Sequence, residues 1–301
     1  INQHFMVSVP KLGGTVSEGI VGAPRFVNPV LAFSDADKDM VSLIYSGLMR
    51  HTNKGEVSPD LAEGYEVSED KLTYTFTLKE GVTFHDGQAL TTDDIVFTIE
   101  KVKDSVLKSP KKSQWDGVTI QKIDDRVIQF ILRQPYASFL DNTTLGILPE
   151  HIWNNSLIEL NTGNTNPIGS GPFMIKTVNR EESGIINSYE LAPFQNFALG
   201  SPYLNSIFIK FYINQEDLLK ALRNKEIVQL SSIDPENAVA LEEGNYKLEN
   251  TVLPRIFGLF FNQNQNQIFV NKTVVNAINE AIDKERITEE VLSGYGISIN
   301  N

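Results

Sequence analysis

The sequence predicts an α/β protein in two pieces, and three observations carry that expectation. Leu72, Tyr74, Phe76 and Leu78 alternate with Thr73, Thr75 and Thr77, the period of a half-buried strand. Beyond a turn, Thr91 offers a helix cap, and Ile95, Ile99, Val102 and Val106 follow at helical spacing. Farther on, Ile207, Ile209, Phe211 and Ile213 alternate with Phe208, Lys210 and Tyr212, after which Glu216-Asp217 open a helix carrying Leu218, Leu219 and Leu222. Strand followed by helix in both halves is the rhythm of mixed α/β lobes. At 301 residues the chain is long enough for two lobes rather than one.

In chain order, Thr15–Val21 is a short strand, followed by a proline-containing loop and a helix from about Asp35 to Leu48. Residues from about His51 to Trp153 form a second compact piece. Within it Glu80-Gly81 breaks the alternating strand, Val82-Thr83-Phe84 resumes it, and Asp86-Gly87 turns the chain. Asp93 and Asp94 fall in the positive first turn of the next helix. Val127–Leu132 is a nearly continuous apolar strand; Pro135 ends it, and Ala137–Leu140 begins a helical turn. The Asn- and Thr-rich segment Asn154–Asn166 is a connector, and Gly169–Phe173 re-enters a strand. Asn262–Gln267 alternates Asn and Gln, a solvated loop. From Asn271, Val274, Ala277, Ile278, Ala281 and Ile282 outline a helix. A second carries Ile287, Val291 and Leu292 and closes at Gly294.

The net charge of −12 argues against nucleic acid or an anionic membrane as main partner. Lys108, Lys111 and Lys112 sit among Ser109, Pro110 and Ser113, an exposed loop rather than a binding patch. There is no cysteine, hence neither a disulfide framework nor a thiol site. No apolar run approaches a membrane span, Ile256–Phe261 being among the longest. Ile1-Asn2-Gln3-His4 lacks the basic end and apolar core of a signal peptide.

Catalytic patterns are missing too. His4, His51, His85 and His151 are scattered without zinc-ligand spacing. Gly169-Ser170-Gly171 lacks the spacing of a nucleophile elbow. Asp93 and Asp94 are adjacent and diverge by about 100° on a helix, so they cap it rather than pair as acid and base. Asp35-Ala36-Asp37-Lys38-Asp39 lacks the glycine and distal glutamate of a calcium loop. Asp86-Gly87 supply the bonding and the positive-φ residue of a turn, and His85 is expected to be a neighbour of that turn rather than an active-site residue. No catalytic residue, metal or cofactor is expected, and the chain is expected not to be an enzyme.

These tokens recur in an order that resembles the peptide- and nickel-type extracellular solute-binding proteins of ABC importers, solute-binding family 5. Tyr74, Phe76, Leu78, Gly81, Val82, Phe84, Asp86 and Gly87 match its signature strand and "gV-F-DG" turn. Leu90, Thr91, Asp94, Ile95, Val96 and Phe97 match its helix start. Asn28-Pro29 resembles its "LDP" segment and Ile44–Leu48 its "iYegL". Gln134–Leu140 is similar to "P-a-Fl", Gly169–Phe173 to "GtGPf", and Val274–Ile287 to "vR-Al-yAiDr-kI", with Val275 where the family usually carries Arg.

The resemblance implies the type II periplasmic-binding-protein fold, a discontinuous mixed-sheet lobe with a second lobe inserted. The first lobe would comprise residues 1–50 and 154–270, the inserted lobe 51–153, and residues 271–301 would begin a third lobe that is mostly absent, a truncation within that lobe. It implies capture of a peptide or similar small solute by hinge closure, without chemistry, and delivery to the membrane subunits of an ABC importer. The location would be extracytoplasmic, in the periplasm or on the outer face of the cell membrane, with a lipid anchor through a removed N-terminal segment. The cleft would be lined by Arg25–Phe33, Ser170-Gly171, Phe257–Asn262 and residues near Tyr136. The candidate ligand-binding residues are therefore Phe26, Asn28, Phe33, Tyr136, Ser170, Gly171, Phe260 and Asn262. The amides of Asn28 and Asn262 can satisfy a peptide backbone from both sides, whereas Phe26, Phe33 and Tyr136 fit core positions equally well. The alternative is a truncated, non-transporting relative acting as a structural or interaction module. Oligopeptide, dipeptide, nickel chelate and oligosaccharide binders share these motifs, so the solute stays open.

Overall fold

Two sheets organise the first of the two units into which the chain divides, Ile1–Ser231 and Ser232–Asn301. The computed structural model describes residues 11–154, 157–244, 246–249 and 257–299. The expectations for residues 1–10 (His4 included), for Asn155-Ser156 of the connector and for Ile256 fall outside the described residues.

The larger sheet collects strands from distant parts of the chain: β1 (Thr15–Val21), β8 (Phe173–Arg180), β9 (Ile186–Pro193), β10 (Ser206–Tyr212) and β11 (Gln229–Leu230), in the order β11-β1-β10-β9-β8. β1 runs parallel to both β10 and β11, and β10, β9 and β8 are antiparallel neighbours, so the sheet is mixed. Helix α6 (Gln215–Arg223) links β10 to β11 and buries Leu218, Leu219, Ala221 and Leu222. β10 and β11 flank β1 and run parallel to it, and parallel strands of one sheet need such a crossover. Helix α1 (Asp35–Ile44) follows β1 and buries Ala36, Met40 and Ile44.

The smaller sheet is antiparallel, β4 (Ala62–Val67), β5 (Thr73–Leu78), β7 (Val127–Ile131) and β6 (Thr119–Lys122), in the order β4-β5-β7-β6. Along β5 the alternation does what the sequence predicts: Tyr74, Phe76 and Leu78 are buried and the threonines half-buried. Tyr74 faces Phe130 and Phe76 faces Ile128 across the ladder. With Trp115 and Phe139 they form an aromatic cluster whose ring centroids lie 4.8–5.9 Å apart, a separation at which edge-to-face pairs are favourable. Helix α2 (Thr92–Lys103) closes this core with Ile95, Phe97, Ile99 and Val102. Its start is a reciprocal cap: the Thr91 hydroxyl accepts from Asp93 N at 3.3 Å, and the Asp94 carboxylate accepts from Thr91 N at 2.9 Å. Short helices α3 (Lys112–Trp115), α4 (Phe139–Asn142) and α5 (Glu150–Trp153) and the hairpin β2 (Met49–His51)–β3 (Val57–Pro59) complete the unit.

Several expectations need correcting. α2 stops at Lys103; the Asp104 carboxylate instead accepts from Val106 N at 2.8 Å, leaving Val106 outside the helix and 76% exposed. α1 ends at Ile44 rather than Leu48, because Tyr45 is extended and Gly47 O and Leu48 O accept bonds from Leu61 N and from Asp60 and Ala62 N. The strand predicted over 207–213 ends at Tyr212, since Asn214 caps α6 through Asp217 N. The connector holds two single 3₁₀ turns, Ile158–Leu160 and Thr162–Asn164. The strand expected from Gly169 starts at Phe173.

The second unit contains α7 (Pro235–Glu243), α8 (Lys272–Ala281) and α9 (Lys284–Leu292). Asn271 and Asp283 cap the last two by accepting from Thr273 N and Arg286 N. Ser293 and Gly294 then adopt positive φ, where glycine is at ease. α8 and α9 bury no residue, and Ile287 and Val291 stay more than half exposed.

Candidate ligand-binding surface

The loop between β1 and α1 is held from beneath by one buried carboxylate. Asp37 Oδ1 accepts from Arg25 N at 2.8 Å and Phe26 N at 2.9 Å, while Oδ2 accepts from Ser34 N at 3.1 Å and Phe33 N at 3.4 Å. Asn28 makes a second anchor. Its Oδ1 accepts from Val30 N at 2.8 Å, its Nδ2 donates to Asn164 Oδ1 at 3.2 Å, and its carbonyl accepts from Leu31 N and Ala32 N. The Ser109 hydroxyl donates to Val30 O at 2.6 Å, tying the loop to the segment before α3. The result is a fixed loop with one ring free: Phe33 is 77% exposed, while Phe26 is half-buried with the Arg25 guanidinium 5.6 Å from its centroid.

Behind this loop the chain crosses between the sheets through glycines packed on backbone. Gly171 N donates to Ile44 O at 2.8 Å, and a Cβ on Gly171 would lie 2.6 Å from Ile44 C. A Cβ on Gly169 would overlap Ile44 O, and one on Gly146 would sit 2.7 Å from Tyr45 Cβ and 3.3 Å from Pro29. Only glycine permits such approaches. Asn28-Pro29, Ile44-Tyr45 and Gly169–Gly171 therefore meet at one junction.

His85 enters this junction from the turn after β5. Its backbone N donates to Gly169 O at 2.8 Å, its Nδ1 accepts from Gly169 N at 3.2 Å, and its Nε2 lies 3.0 Å from Gly171 O. An Nδ1 that accepts leaves the proton on Nε2, which then donates to the carbonyl. Burial lowers the imidazole to about 4, against the backbone bond to Gly171 and the Asp86 charge, so the ring is neutral. Asp86 makes the turn itself, accepting from Gln88 N, and pairs with His151 at 2.7 Å. Nothing in the local sequence separates His85 from an ordinary turn neighbour; only the long-range register reveals its two backbone partners.

The structure thus divides the predicted site residues. Asn28, Ser170 and Gly171 are buried, Asn28 at 0% exposure with both amide atoms engaged. They shape the junction rather than face solvent. Phe33 and Tyr136 do face solvent. Tyr136 is 49% exposed at the rim of a recess of about 540 Å³ whose wall includes Gln114, Arg133, Gln134 and Phe139. In the second unit, Phe257 and Phe260 are almost fully exposed. Asn262 heads a turn, its Oδ1 accepting from Asn264 N and Gln265 N.

Below the junction Asp60 is buried, and burial raises its carboxyl to about 6, against the Ser46 hydroxyl and the positive charges of Lys79 and Arg50. Among the described residues, no hydroxyl bonds to a histidine ring. On the fixed loop the exposed Phe33 ring offers apolar area to solvent.

The family model for bacterial extracellular solute-binding proteins, family 5, middle region, matches residues 56–301. The oligopeptide-binding protein AppA of Bacillus subtilis is 28% identical over 294 residues, which cover 95% of this chain and 53% of AppA. The dipeptide-binding protein of Escherichia coli is 25% identical over 307 residues, covering 93% and 56%. The chain spans about half the length of the curated relatives it matches. AppA in complex with a nonapeptide superposes with a TM-score of 0.72 at 28% identity, over 95% of this chain and 57% of that one. NikZ from Campylobacter jejuni in complex with Ni(L-His) gives 0.72 at 25% identity, with the same coverage. The shared fold is that of the type II periplasmic binding proteins. A family match over most of the chain, together with a fold shared along 95% of it, means that the chain belongs to the bacterial extracellular solute-binding proteins, family 5.

Proposed function

We propose that this chain is a solute-capturing component of an ABC importer, that its solutes are peptides, and that it hands them unchanged to the importer's membrane subunits. The observation that carries the reading is the superposition, along 95% of the chain, on AppA holding a nonapeptide. The protein acts outside the cytoplasm, as its family description states, and a lipid anchor belongs to the same proposal. It performs no chemistry on its solute. The lobes are residues 1–50 with 154–270, the inserted lobe 51–153, and 271–301 as the beginning of a third. The separate strand membership of the two sheets supports the first two.

In this reading Phe33, Phe26 and Tyr136 supply apolar walls in the first unit; Phe260 and Asn262 are the candidate contacts of the second unit taken by itself. Asn28, Ser170 and Gly171 hold the junction in shape. A loop fixed in advance by Asp37 and Asn28 loses little freedom when a ligand arrives, which strengthens binding. Ligand then favours the closed arrangement by its higher affinity for it. Calorimetric titration with a mixed oligopeptide pool and, separately, with Ni(L-His) tests the solute class. Saturable binding of peptides with none of the chelate is expected; binding of the chelate alone overturns the peptide assignment.

A further inference from the structure

His85 makes more contacts to the opposite sheet than a turn residue requires. The turn is complete without it: Gly87 N donates to Phe84 O at 2.9 Å, and Asp86 Oδ1 accepts from Gln88 N at 3.1 Å. The His85 ring instead reaches the segment that opens β8, accepting from Gly169 N and donating to Gly171 O. Its edge packs on Phe194, with centroids 4.9 Å apart, and Phe194 N donates to Pro172 O in the same crossing. Gly171 N is in turn bonded to Ile44 O at the end of α1. One side chain from the β5–α2 turn therefore engages both glycines of a segment whose own side chain, the buried Ser170, makes no hydrogen bond among the described residues.

We propose that His85 is the positioning residue of this crossing: with Nδ1 accepting and Nε2 donating, its imidazole fixes Gly169–Gly171 against the turn after β5 and so sets the angle between the two sheets. A protonated ring could not accept from Gly169 N, and the neutral state that burial imposes is the one the bonds need. The charged group acting on the ring is Asp86; from the opposite side, among the described residues, the Gly169 and Gly171 backbone and Phe194 meet it. The role is independent of which solute is bound.

Two measurements on the full chain test it. Nitrogen NMR of histidine-labelled protein at pH 7 should show His85 with a pyridine-type Nδ1 and a protonated, pyrrole-type Nε2. The reverse tautomer, or a charged ring, overturns the proposal. Because the chain has no cysteine, spin labels at Glu69→Cys and Glu182→Cys, exposed sites on the β4–β5 and β8–β9 hairpins, report the angle between the sheets without background. A narrow distance distribution is expected in the parent, a broadened or shifted one in His85→Ala, and a narrow one again in His85→Gln, whose amide keeps one acceptor and one donor. A folded His85→Ala with the parental distribution overturns it, even if that variant is less stable. Should His85→Ala not fold, the tautomer and the glutamine variant decide.

Discussion

Asp60 and His85 make opposite contributions to stability as pH changes. The Asp60 carboxyl is raised from 3.8 to about 6 by burial, so between those values the folded chain holds a proton that the unfolded chain has released. Its contribution is fullest below pH 3.8 and is lost as pH rises through 6, worth about 3 kcal/mol. The His85 imidazole is lowered from 6.5 to about 4; its contribution is present above pH 6.5 and is lost as pH falls through 4, again worth about 3 kcal/mol. Urea unfolding at several pH values separates them. Relative to the parent, Asp60→Asn should gain stability as pH rises from 4 to 7, and His85→Gln should gain as pH falls over the same range. Curves that stay parallel to the parent's would show that neither group is perturbed. At this scale the sequence was only partly legible. Thr91 and Asp94 declare a cap by spacing alone, whereas Asn28 and Gly171 are held inside by partners more than 100 residues away, Asn164 and Ile44 respectively.

The elements most readable in the sequence are those with one-sided burial, β5 and α2, because burying a single face imposes the period of 2 or 3.6 on the residues. β9 carries no clean period of 2 because its pairing with β8 shifts register near Thr177 and Arg180, so that buried Ile186, Tyr189 and Leu191 are spaced three and then two apart. β4 and β6 are edge strands whose residues are mostly exposed, so no buried face imposes a period on them. Two predictions belong here. Thr91→Ala should cost about 1 kcal/mol of unfolding free energy, read by thermal or chemical denaturation; no change would show that the cap is redundant. Asp37→Ala removes the acceptor for four loop amides. It should speed hydrogen exchange at Arg25, Phe26 and Ser34 while leaving the β5 and β7 amides protected. Uniform acceleration would mean that Asp37 supports the whole unit rather than the loop.

At the scale of the molecule, the order of short motifs along the chain carried the family resemblance, and the family match over residues 56–301 agrees with it. The site was less legible. Exposure of Phe33 and Tyr136 follows from the anchoring of their segments, which no local pattern encodes, and the amides judged most suited to a peptide include one, Asn28, that is wholly committed inside. Phe33 gives the direct handle. Its ring is largely exposed, so Phe33→Ala should leave stability within about 0.5 kcal/mol and weaken peptide binding about tenfold or more, the loss typical of an aromatic anchor. Equal affinities in a side-by-side titration would remove Phe33 from the binding surface.

The central claim, that this chain captures peptides, is tested most directly by native mass spectrometry of the protein purified without refolding and then mixed with a defined oligopeptide pool. The account predicts adducts whose extra mass resolves into one short peptide per chain, fewer of them in Phe33→Ala. A spectrum of bare chain at every peptide concentration would contradict it.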